Sequence, residues 1–190
     1  MARKEEFVPD GHRVRTSPAE VVAAWLRYTQ RIPAEFALGT AQHESNFTLN
    51  EVDTEESGFT SKGVFQLSEE EANDVDFPEA DLLDLEDATK VFCLLCERRL
   101  QRIIQVANLH EENLPADVWA YLALAHNQGL DAALKSIERY GLNWTAYKQR
   151  NPQFKGMAKY GDDVISGGSN SVAALDGVSQ RALLLTALAS

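Results

Sequence analysis

The sequence predicts a mainly α protein, and three observations carry that expectation. Apolar residues recur at helical spacing through most of the chain. Two Ser-x-x-Glu boxes, Ser17 to Glu20 and Ser68 to Glu71, announce helix starts. Two glycines, Gly129 and Gly141, stand directly after apolar periodic runs, where helices stop. The expected architecture is a helical bundle around a central apolar helix, with one short irregular or β-hairpin insertion after the second helix.

In "TSPAEVVAAWLRYTQ" Ser17 caps, Pro18 suits the first helical position, and Val21, Val22, Trp25, Leu26 and Tyr28 supply an apolar face. Pro33 opens a second helix, "PAEFALGTAQHES", whose Phe36, Ala37, Thr40, Ala41 and Glu44 share one face. From Asn46 to Lys62 the helical period stops in a polar, turn-rich stretch read as a loop or short hairpin. The apolar run "GVFQL" and a short capped helix from "SEEEA" follow, and residues 74–87 form an acidic surface wrap. The longest helix is expected from about Leu85 to Leu109, with Ala88, Val91, Phe92, Leu95, Leu100, Ile103, Ile104 and Ala107 buried. "LPADVWAYLALAHNQG" is apolar nearly all round and therefore central. "LDAALKSIERYG" and shorter helices over Trp144 to Lys148 and Phe154 to Ile165 complete a domain over residues 1–166. In residues 167–190, "SGGSNS" reads as a flexible joint before a C-terminal amphipathic helix.

The 190 residues suffice for one sizeable core, and the composition is that of a globular chain. A net charge of −11 argues against nucleic acid and against an anionic membrane surface, and makes a cationic substrate the sharper alternative to plain solubility. No apolar run approaches membrane-spanning length, and "MARKEEFVPDGHRVR" has no apolar signal core. Cys93 and Cys96 lie mid-helix among apolar neighbours, which predicts core packing over redox or metal chemistry. No cofactor or metal is expected, and the oligomeric state is left open.

Glu44 carries the chemistry. It shares its helical face with apolar residues and leads into the long polar loop, where binding residues concentrate. A carboxyl beside apolar walls has its ionised form disfavoured, which is the state a general acid toward a glycosidic oxygen needs.

"ESNF", followed nineteen residues after the Glu by "GVFQL", then "AYLALAHNQG", then "MAKYGDDV", resembles the soluble lytic transglycosylase catalytic domain and the related goose-type lysozymes. The resemblance covers roughly residues 20–166 and implies a lysozyme-like α+β fold. It implies cleavage of the β-1,4 bond between N-acetylmuramic acid and N-acetylglucosamine in peptidoglycan, with Glu44 as catalytic acid/base. Carried over, it places Ser45, Gly63, Gln66 and Asn127 on substrate and makes Tyr160 the partner that orients Glu44. His126 stands where the family has Tyr, which alters a subsite, and the family's acidic loop positions fall on Ser57 and Ser68. His43 would act on the Glu44 carboxyl through its own charge.

A lytic transglycosylase needs no second carboxylate and gives 1,6-anhydro products, and the resemblance leans that way. If the loop supplies a second carboxylate, with Glu55 and Glu56 the candidates beside Glu51 and Asp53, a hydrolytic lysozyme results. A chitinase or chitosanase on the same scaffold, and a catalytically silent wall-binding module, are the other readings. The absence of a visible signal suits a phage endolysin or virion-associated enzyme acting on the cell wall.

Overall fold

The computed structural model describes residues 13–152 together with 159, 161, 162 and 164. It is mainly helical with one small two-stranded antiparallel sheet. In chain order the elements are α1 (Pro18–Trp25), α2 (Ala34–Ser45), β1 (Val52–Thr54), β2 (Thr60–Lys62), α3 (Glu69–Asp74), α4 (Leu85–Ala107), α5 (Asp117–Gln128), α6 (Leu130–Tyr140) and α7 (Trp144–Arg150). A single 3-10 turn, Glu111–Asn113, joins α4 to α5.

Local chemistry sets these bounds. Both capping boxes form: Ser17 with Glu20 starts α1, and Ser68 with Glu71 starts α3. Asp84 caps α4 by accepting from the backbone N–H groups of Glu86 and Asp87. Gly141, at φ +68°, ends α6 as expected. The first helix is shorter than its apolar pattern suggested. The Trp25 indole N–H donates to the Ile32 carbonyl at 3.0 Å, and the chain turns there. Tyr28 therefore leaves the apolar face, stands exposed, and donates its hydroxyl proton to Glu86.

The core is one cluster. α5 runs through its centre, with Val118 and Ala120 to Ala125 buried. α4 lies against α1, α3, α5 and α6. Phe92 of α4 gathers the rings of Trp25, Phe36 and Phe65 at centroid distances of 5.6, 6.0 and 4.3 Å. Gly39, in the middle of α2, costs helix propensity but admits the Val164 backbone, whose carbonyl oxygen lies 1.6 Å from where a Cβ would stand. Cys93 and Cys96 are free and buried, as core packing requires. Burial pushes the Cys93 thiol up to about 12 and Cys96 well above its ordinary range, so neither is a nucleophile at neutral pH.

Among the described residues no helix is long and apolar enough to cross a membrane. The expected boundary at residue 166 and the helix after it lie outside the described residues.

Candidate active site

Glu44 enters from the last turn of α2, and several contacts hold that turn. Asn46 and Phe47 take left-handed backbone conformations, at φ +51° and +62°, and reverse the chain immediately after the helix. The incoming N-terminal segment pins the reversal: the Thr16 N–H donates to the Phe47 carbonyl, and the Leu49 N–H to that of Val14. β1 and β2 then pair in the register Val52 to Lys62, and the hairpin rises beside the helix end. Residues 63–67 return beneath it, with Val64, Phe65 and Leu67 fully buried.

Gly63 is required by that return. Its φ is +75°, and an added Cβ would stand 1.9 Å from the Leu82 carbonyl oxygen. The close approach is to the protein's own backbone and not to a ligand, which corrects the expectation of a substrate contact there. Gly63→Ala should cost more than about 2 kcal/mol, since it combines left-handed strain with a backbone clash. A urea melt reads this directly, and a midpoint equal to wild type would contradict it.

Together these elements wall a cleft of about 1170 Å³. Glu44, Gln66, His126 and Asn127 line it, as do Asp53, Glu55 and Glu56 of the hairpin. The Glu44 side chain is only 7 % exposed. Among the described residues no donor lies within hydrogen-bonding distance of its carboxylate, and the nearest basic atom is His126 Nε2 at 4.0 Å. A buried carboxylate opening onto a cleft, with no hydrogen-bond donor among the described residues, is poised to engage something that enters.

Ser45, adjacent in sequence, faces elsewhere. It is buried and donates to the Val64 carbonyl at 2.9 Å and to that of Ala41 at 3.2 Å, and it accepts from the Thr48 N–H. It braces the return segment and is absent from the cleft lining, so its expected contact with substrate is corrected. Gln66 does line the cleft, but its amide locks the turn. It accepts from Ser61 Oγ at 2.9 Å and donates to the Gly63 carbonyl at 2.9 Å, on a backbone at φ +50°. Asn127 is exposed on the wall at the end of α5. Glu55 and Glu56 are exposed on the rim. His43 is exposed and does not line the cleft. Tyr160 lies outside the described residues.

The structure adds a network the sequence did not signal. Glu71 and Arg99 form a largely buried pair at 2.7 Å, with side chains 18 % and 13 % exposed. Arg99 Nη1 approaches His126 Nδ1 at 3.3 Å, and His126 Nε2 lies 3.1 Å from the Phe65 carbonyl. A guanidinium only donates, so Nδ1 accepts and Nε2 carries the proton given to Phe65. The His126 ring is thereby fixed beside Glu44 and over the edge of Phe92. The chain Glu71–Arg99–His126 forms the wall behind the Glu44 carboxylate.

Burial holds the His126 pKa below its ordinary 6.5, against the pull of Glu44 and Glu71 in the other direction. Burial pushes Glu71 up, but His126, Arg99 and the Ser68 N–H outweigh it and leave the carboxyl below its ordinary 4.5. The signs for stability agree. As pH falls through 6.5 the unfolded chain takes a proton at residue 126 before the folded one does, so stability declines. The slope from this one group is at most about 1.4 kcal/mol per pH unit. Glu71 adds a second loss below 4.5. His126→Gln should flatten the first part of the decline in urea melts between pH 7.5 and 5, and an unchanged slope would contradict this assignment.

Comparison of the chain with protein-family models, curated proteins and solved structures finds no match.

Proposed function

We propose that this protein cleaves the β-1,4 bond between N-acetylmuramic acid and N-acetylglucosamine in peptidoglycan, with Glu44 as the general acid and then the general base. The observation that carries the reading is the buried Glu44 carboxylate, 7 % exposed and without a donor among the described residues, at the wall of a cleft of about 1170 Å³. A lysozyme-like arrangement accords with a mainly helical body whose one hairpin follows the helix that delivers the acid.

The chemistry runs through one side chain. Protonated Glu44 gives its proton to the glycosidic oxygen as the bond to the anomeric carbon breaks and a cationic centre develops. The resulting Glu44 carboxylate takes the proton of the same sugar's C6 hydroxyl, and that oxygen closes on the anomeric carbon. The product is a 1,6-anhydro sugar, no water is consumed, and Glu44 is again protonated. Gln66, Asn127 and the Phe59 ring, 44 % exposed, offer polar and apolar surface to the flanking sugars. His126, clamped between Arg99 and the Phe65 carbonyl, fixes the wall behind the acid.

The hairpin acids leave room for the hydrolytic variant. Asp53, Glu55 and Glu56 share the cleft with Glu44, and any of them able to activate water would divert the cation to hydrolysis. Purified peptidoglycan carrying a covalent dye tests the reading at its root. Wild-type protein is expected to release soluble dye, and full retention of dye in the pellet would overturn it.

A further inference from the structure

The cleft's charge is unusual for a site that binds neutral sugars. Among the described residues seven carboxyl groups and one guanidinium line it; with Glu44 serving as the acid and Glu71 paired to Arg99, five further carboxylates stand on its walls. Asp53, Glu55 and Glu56 lie on the hairpin, and Glu70 and Asp74 on α3, so two walls are acidic. The one guanidinium, Arg99, is committed to Glu71 at 2.7 Å. Among the described residues no three acidic, His or Cys side chains converge well enough to hold a metal ion. The charges are spread along the cleft, which suits an extended ligand with several cationic groups and not a point charge. The Glu44 side chain, 7 % exposed and without a hydrogen-bond donor among the described residues, marks the cleft as a ligand site by its burial and not by its charge. Phe59 exposes an apolar ring to it, a surface on which a sugar face can lie.

We propose that the cleft prefers glycan strands bearing free amines, with β-1,4-linked glucosamine units placing their ammonium groups opposite the hairpin and α3 carboxylates on either side of the cleaved bond. The inference rests on the reading of the cleft as a glycan site with Glu44 as its acid. Each ammonium–carboxylate pair at an exposed rim contributes little alone, and several in register discriminate an amine from an acetamide and do so less at high salt. The amine chemistry has two sources, a glucosamine homopolymer and wall glycan that has lost N-acetyl groups.

Binding is measured with the full chain carrying Glu44→Gln, so that no ligand is consumed. The probes are labelled glucosamine hexamer, its N-acetylated counterpart, and wall glycan strands before and after de-N-acetylation. The expected result is about tenfold or tighter binding of a free-amine ligand over its acetylated parent at low salt, lost at high salt. Adding Glu55→Gln, Glu56→Gln and Glu70→Gln should weaken that binding about tenfold. The same charge change made outside the cleft, at Glu79, Glu112 and Glu138, should leave it unchanged. Which free-amine ligand binds tighter identifies the source. Equal binding of each amine and its acetylated parent, or an equal loss from the outside triple, overturns the inference. If acetylated wall glycan is cleaved by wild type without any amine preference, this inference alone fails. If the preference holds and wild type releases no product from any glycan, the cleavage reading fails and the binding inference stands.

Discussion

Glu44→Gln is expected to slow release of peptidoglycan fragments by about 10²- to 10⁴-fold, the range a positioned acid–base group contributes. The amide keeps the shape of the side chain and cannot give up a proton to the glycosidic oxygen. The loss should come without unfolding. The native carboxylate is buried with no donor among the described residues, so an uncharged isostere relieves the cost of burying that charge. The melting temperature of the variant should therefore equal or exceed that of wild type, the usual trade between a functional group and stability. A fall in rate accompanied by a matching fall in melting temperature would instead mean that Glu44 is structural.

The largest stability effect is expected at Arg99. Arg99→Met leaves Glu71 without its guanidinium and His126 without the donor to Nδ1, in a site where both side chains of the pair are mostly buried. Removing one partner of such a pair costs about 3 kcal/mol, the lower end of the range for buried pairs, because some solvent reaches it. In a chain of this length that is a drop in melting temperature of roughly 6–12 °C. Glu71→Gln separates charge from capping, because Gln also closes the box with Ser68 at the start of α3. The double variant Glu71→Gln, Arg99→Met should recover part of the single Arg99 loss, which a double-mutant cycle measures. Strict additivity of the two would remove the pair from the account.

Much of this framework was legible before any coordinates. The capping boxes at Ser17 and Ser68 rest on contacts within three residues, so the sequence displays them completely. The Phe36, Ala37, Thr40, Ala41 and Glu44 face follows from the helical period and did lead inward, with the first four buried. The hairpin was foreseeable as a break in that period, though not its register.

What escaped has physical reasons. Ser45 follows Glu44 on a helix, so its side chain points about 100° away from it, and here that direction leads to the Val64 carbonyl in the core. Tyr28 fitted the α1 face by spacing, but a long-range bond from Trp25 to Ile32 ended the helix first. Glu71, Arg99 and His126 are brought together from α3, α4 and α5 across 28 and 27 residues. Each has a sufficient local explanation, a cap, a charged helix surface and a helix end, so nothing in the local pattern points to their union.

The most direct test of the central claim is the mass of the fragments that wild-type protein releases from purified peptidoglycan. Cleavage through Glu44 alone predicts disaccharide fragments one water lighter than hydrolysis products, and none from the Glu44→Gln variant. Identical fragments from both proteins, or none from wild type, would contradict it.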